Sequence, residues 1–271
     1  MRARFLFRSG GAYWNDLFLD FLHGRGQNAP LLLTGFIARS WRYIGNDTVL
    51  VPTIVSAIFT FATAGALVSS IAVLRGRIQG YLAGLVLLGT PYFIMHGSSQ
   101  YMDVPLGFFF LAALLLFSIR DRLFENNYSL LILAGAMAGF AAWTKNEGVI
   151  FLLSLTVIRA VASIFVKGWK NGARETLSFC LGFFPMAIMA MYYKTQIVPQ
   201  EHGHVVSLGS QQSLTLLTDF PRYAQVLGFF GQKIVNFGGG IVGIILLLAV
   251  YLFFLGVKIK KEDKIGIAVS T

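Results

Sequence analysis

Two short polar clusters interrupt an otherwise apolar chain, and both hold residue types that can do chemistry. The first is Gln100-Tyr101-Met102-Asp103-Val104-Pro105. It places a carboxylate at the start of an apolar run, with a proline two residues on, where the first turn of a helix tolerates one. Asp103 there either caps the helix or works at its boundary, orienting or activating an acceptor nucleophile or contacting a sugar. The second cluster is Trp143-Thr144-Lys145-Asn146-Glu147-Gly148, a tight turn between two apolar runs. A lysine and a glutamate two positions apart can form a plain solvated hairpin. A lysine level with lipid headgroups is equally suited to hold a lipid phosphate as a point charge. Ionisable groups at the edge of a membrane span are costly to keep there, which makes both clusters candidates for function.

The remaining polar features are weaker. His202 and His204 form an H-x-H pair beside Glu201, but two histidines and one carboxylate in a polar loop read as loop residues, not as a metal centre. No metal and no cofactor is expected. His96 ends an apolar run, and Arg159 lies inside one, where it snorkels or lines a cavity. Cys180, the one cysteine, sits in an apolar run and reads as a packing residue. P-loop, G-x-G-x-x-G, G-x-S-x-G and H-E-x-x-H patterns are absent, which argues against a nucleotide-driven pump and a zinc protease.

The elements that must position these clusters are membrane helices. The 271 residues are 56% hydrophobic and only 13% charged, with a mean hydropathy of +0.68, where a soluble domain has about 25% charged residues. The expected fold is all-α: a polytopic transmembrane bundle of about seven spans, with interfacial helices on the external face. The expected spans are Val49–Leu74, Ile78–His96, Met102–Ile119, Tyr128–Trp143, Val149–Val166, Thr176–Tyr193 and Gly240–Val257. Gly135 and Gly139 form a G-x-x-x-G step that favours close helix packing. Positive charge alternates between the connections. Arg75 and Arg77, Arg120 and Arg122, Lys167, Lys170 and Arg174, and Lys258, Lys260, Lys261 and Lys264 fall on one side, which the positive-inside rule makes cytoplasmic. The net charge of +10 follows from these loops and calls for no nucleic-acid partner.

This arrangement divides the chain into an external loop with interfacial amphipathic helices over 1–48, a transmembrane bundle over 49–193, an external loop over 194–239, and a final span with a basic cytoplasmic tail over 240–271. In the first loop the amphipathic stretches are Tyr13–Leu22 and a segment from Pro30 to Ile44, with Asn28 as its cap. The basic stretch around Arg2, Arg4 and Arg8 is then external, without a signal to carry it there. The chain is therefore expected to be an N-terminally incomplete version of a longer protein. Its expected location is a bacterial-type inner membrane.

Taken in order, several stretches resemble the GT-C superfamily of integral-membrane glycosyltransferases, in its protein-mannosyltransferase and aminoarabinose-transferase-like branch. They are Arg2-Ala3-Arg4-Phe5-Leu6-Phe7, Ala29-Pro30-Leu31-Leu32-Leu33 leading to Ala38-Arg39-Ser40-Trp41, Thr90-Pro91, Gln100 to Pro105 and Ala142 to Gly148. They cover about the first 150 residues. The resemblance implies transfer of a sugar from a polyprenyl-phosphate donor, dolichyl or undecaprenyl, to a lipid, protein or polysaccharide acceptor on the external face. It implies Asp103 as a catalytic carboxylate, and Lys145, Asn146, Glu147, Tyr101 and Arg4 as contacts for lipid phosphate or substrate. The family's first-loop aspartate, its general base, would precede Arg2, and Asp16 and Asp20 do not match its position. A transporter or lipid flippase, and a catalytically inactive relative or scaffold, are the alternatives. Apart from Arg159, and Asp103 at the edge of Met102–Ile119, the expected spans are free of charge and show no inverted repeat, which disfavours the transporter.

Overall fold

The computed structural model describes residues 2–8, 31–197 and 219–235. Among them every regular element is helical: α1 (Arg2–Arg8), α2 (Leu32–Ile44), α3 (Leu50–Arg75), α4 (Arg77–Leu88), α5 (Pro91–Ser98), α6 (Asp103–Leu123), α7 (Tyr128–Thr144), α8 (Asn146–Lys167), α9 (Trp169–Tyr192), and α10 (Phe220–Val235). A π-helical turn, Tyr193–Ile197, extends α9. The all-α bundle expected from the sequence is therefore present. Four helices, α3, α6, α8 and α9 with its extension, are long and apolar enough to cross a membrane, and α4 with α5 adds a fifth if the bent pair counts as one span. The chain is a multi-pass membrane protein. The Tyr13–Leu22 helix, Asp16 and Asp20, the Asn28 cap, the histidine pair and the Gly240–Val257 span lie outside the described residues.

One expected span is corrected. Ile78–His96 is not continuous; α4 and α5 meet at an angle of 66°. Pro91 supplies no N–H and forces the residue before it out of the helical region. Thr90 accordingly is extended (φ −85°, ψ 109°), and Pro91 opens the new helix. The amphipathic stretch expected from Pro30 to Ile44 is described from Leu31 on: α2 runs Leu32–Ile44 and is closed by Gly45 in the left-handed conformation (φ 78°), its N–H bonded to the Trp41 carbonyl.

The centre of the bundle is α7. Ala134, Ala138 and Ala141 are fully buried, and Leu131 and Ala142 nearly so. At 17 residues it is about 26 Å long, and its small side chains let α9 approach closely. A methyl group at Gly139 would lie 3.0 Å from the Phe183 Cα, and one at Gly135 would run into the backbone of Phe179. The G-x-x-x-G step thus faces α9. Aromatic rings fill the space between α7 and its other neighbours, as where Phe110 of α6 stacks on Phe151 of α8 with ring centres 4.0 Å apart.

Ion pairs lock the opposite end of α6, α8 and α9 from Asp103. Arg120 is 1% exposed and donates to Glu175 at 2.5 Å and to Asp121 at 3.0 Å. Arg159 donates to Asp121 at 2.6 Å and lies over the Phe117 ring at 4.4 Å. Lys167 and Ser163 both donate to Glu175 at 3.0 Å, and Lys167 also pairs with the exposed Glu125 at 2.9 Å. Arg159 therefore does not snorkel; of the two expectations it is the second that holds, since it lines a small cavity of about 10 Å³ with Ser163, Glu175 and Phe179. It is buried and neutralised, as a charge at membrane depth requires.

Removing one partner from such a cluster leaves a buried charge uncompensated, at a cost of about 3–5 kcal/mol. Glu175→Gln is expected to lower the unfolding free energy in detergent by an amount in that range, read as a fall in the unfolding midpoint. Arg75→Gln, at an exposed position, is expected to leave it nearly unchanged.

Candidate functional site

The site forms where α6 and α8 begin and α7 ends. Lys145 is the single non-helical residue between α7 and α8, extended at φ −154° and ψ 158°. Its N–H closes α7 on the Ala141 carbonyl at 3.2 Å, and its own carbonyl accepts the Gly148 N–H at 3.0 Å. Two antiparallel helices can turn on one residue only if they nearly touch. Gly148 makes this possible, because a side chain there would overlap the Ala141 backbone. The turn is tighter than the four or five residues its sequence suggests.

This turn aims Lys145 across at α6. Its Nζ donates to Asp103 Oδ1 at 2.9 Å and lies 3.3 Å from Glu147 Oε1. Asp103 is the first residue of α6, but it makes no side-chain cap. Of the two readings left open for it, capping is not realised, and its carboxylate is committed to the lysine. Partial burial disfavours the charged lysine. The Asp103 hydrogen bond, with the negative charges of Asp103 and Glu147, more than offsets this and holds the ammonium above the usual lysine range. Asn146 is exposed at the first position of α8.

Beside this cluster lies a cavity of about 550 Å³ between α1, α2, α3 and the segment before α6. Tyr101, Met102 and Pro105, which flank Asp103 in sequence, form one wall, and Arg2, Arg4 and Trp41 form another. Arg4 also pairs with Asp47 at 3.5 Å, and Arg8 binds the same carboxylate at 2.5 Å. This ties α1 to the exit of α2. Arg2 donates to the Tyr193 hydroxyl at 3.0 Å and so joins α1 to the end of α9. Gln100 carries φ +59°, a conformation that costs a non-glycine residue about 1 kcal/mol or more, and its amide donates to Thr53 at 3.1 Å. The strained residue redirects the chain from α5 into α6.

The structure thus brings Asp103, Lys145 and Glu147 together and sets Arg4 and Tyr101 on the neighbouring cavity. It adds Asp47, which the sequence does not mark, and gives contacts to Arg2, Trp41 and Gln100, which the sequence marks only as parts of longer stretches. Asp47 pairs across 39 residues with Arg8, a distance no local pattern reports. Arg2 shares its basic stretch with Arg4, and that stretch was the available signal.

The raised Lys145 basicity has a definite sign. A group whose protonated form the folded state favours keeps its charge through neutral pH, and the stabilisation is lost only as pH rises through the shifted value. An NMR titration of dimethylated Lys145 is expected to show a midpoint above the ordinary value of about 10.4, moving downward in Asp103→Asn.

Residues 28–193 match the family model described as dolichyl-phosphate-mannose-protein mannosyltransferase. Neither the curated proteins nor the solved structures give a match. The matched span runs from the start of α2 to the end of α9 and takes in Asp103, Lys145 and the ion-paired end of the bundle. It covers more than half of the 271 residues, and the chain belongs to the dolichyl-phosphate-mannose-protein mannosyltransferase family, membrane glycosyltransferases of the GT-C type.

Proposed function

We propose that this glycosyltransferase takes its sugar from a polyprenyl-phosphate donor on the external face of the membrane, and that Lys145 holds the donor phosphate. The observation that carries the reading is the Lys145–Asp103 pair at 2.9 Å, set at a helix boundary next to a cavity walled by two arginines and two aromatic rings. Arg75, Arg77, Arg120, Arg122, Lys167, Lys170 and Arg174 belong to the opposite ends of the helices, which supports an external position for this site by the positive-inside rule.

In the unloaded protein, Lys145 sits between two carboxylates. A donor phosphodiester, with one negative charge on two non-bridging oxygens, takes the place of that carboxylate as the partner of the ammonium, and its charge grows as the sugar leaves. The four-carbon stem of lysine allows the movement. Asp103 is then free to accept the proton of an acceptor hydroxyl. The acceptor oxygen forms its bond to the anomeric carbon as the bond from that carbon to the phosphate oxygen breaks. The electron pair leaves with polyprenyl phosphate, whose growing charge Lys145 stabilises. Tyr101, 65% exposed at the cavity wall, offers a ring for a sugar face, and Arg4 offers a second cation.

A radiolabel transfer assay with dolichyl- and undecaprenyl-phosphate sugars separates these roles. Lys145→Ala is expected to lower turnover about 10²–10³-fold, as removal of one transition-state charge stabiliser does, and to raise the KM for donor. Asp103→Asn is expected to lower kcat by about 10²–10⁴-fold with the donor KM unchanged or reduced, because a competitor for Lys145 is gone. Full activity in both variants would overturn the proposal.

A further inference from the structure

We infer that α10 lies flat in the outer lipid–water interface, its apolar stripe among the acyl chains and its polar face toward water. The helix is encoded locally. Asp219 accepts the Arg222 N–H on its side chain at 3.2 Å, and Pro221 occupies the first turn, where a missing N–H costs nothing. Sixteen residues make a rod about 24 Å long, too short for a hydrocarbon core of about 30 Å.

Its side chains divide by face. Phe220, Tyr223, Leu227 and Phe230 recur at steps of three and four and share one stripe, whereas Arg222 and Gln225 lie on the other side. Phe229 is the one large apolar residue that interrupts the polar face. Phe220 is 78% exposed, Leu227 69% and Phe230 62%, and α10 has no extensive packing against any other described helix. So large an apolar stripe requires a cover.

The connectivity says what covers it. The α9 extension ends at Ile197, at the same end of the bundle as Asp103, since Arg2 beside it bonds Tyr193. After Val235 the sequence turns apolar again at Gly240. Five residues reach about 17 Å at most, so the end of α10 stays within that distance of the apolar stretch that begins at Gly240. An amphipathic helix with a cation on its polar face, tethered this near to a bilayer, partitions into the interface by burying its apolar side chains.

The test uses the full chain, with Cys180→Ala, in liposomes of phosphatidylcholine and phosphatidylglycerol. Single cysteines at Leu227, Phe230 and Gln225 carry an environment-sensitive fluorophore. Nitroxide-labelled lipid, with the nitroxide near the top of the acyl chain, is expected to quench the Leu227 and Phe230 probes at least about threefold more than the Gln225 probe, with blue-shifted emission at the first two. Equal, water-like signals at all three positions would overturn the inference. So would blue-shifted probes at Leu227 and Phe230 that the lipid nitroxide fails to quench, because a protein surface would then be the cover.

Discussion

Arg120 and Glu175 meet at 2.5 Å beside the packed rings of Phe117 and Phe179, which are 5.2 Å apart. Neither charge could stay there alone. Arg120 gives its other terminal nitrogen to Asp121, Asp121 takes in Arg159, and Glu175 collects Ser163 and Lys167. Each link answers a charge that the previous one leaves over, until the exposed Glu125 closes the chain at Lys167. The cluster fixes the ends of α6, α8 and α9 against one another. Whether such clusters add net stability over an apolar core is a separate matter. What this one imposes is register, because the helices cannot slide without stranding a buried charge.

Register at one end becomes geometry at the other. α6 has 21 residues, about 31 Å of rigid rod, and its far end is Asp103. α8 starts from the Lys145 turn. With α7 pressed against α9 through glycine and alanine, and Gly148 against Ala141, little freedom is left in where Lys145 Nζ and the Asp103 carboxylate meet. The cavity wall is held differently. Arg4 and Arg8 on Asp47, Arg2 on Tyr193 and the packing of Ala3, Leu6 and Phe7 around Trp41 hold the short helix α1.

Much of this was legible in the sequence, for identifiable reasons. Asp103 and Lys145 stood out because charge is scarce in an apolar chain and both fall at the ends of apolar runs. The Gly135–Gly139 step was readable because small residues four apart mark a contact face. The bend at Thr90-Pro91 was missed although the proline was in view, because apolar length was allowed to outweigh a residue that cannot continue a helix. Of the ionic cluster only Arg159 stood out, as a charge inside an apolar run, and its partners did not. Arg120 and Glu175 are 55 residues apart, and at the end of an apolar run each looks like an ordinary loop charge. Only the antiparallel packing of α6, α8 and α9 shows that these groups face inward.

The account rests on Lys145 being the cation that receives a lipid phosphate. The most direct test is equilibrium binding of a short-chain polyprenyl phosphate, with no sugar attached, to the purified protein and to Lys145→Ala and Asp103→Asn. If Lys145 exchanges Asp103 for phosphate, Lys145→Ala weakens binding by about tenfold or more, the scale of one charge-assisted contact. Asp103→Asn then binds as tightly as the parent or more so. Unchanged affinity in Lys145→Ala would contradict the account and leave the Lys145–Asp103 pair as a structural link between α6 and α8.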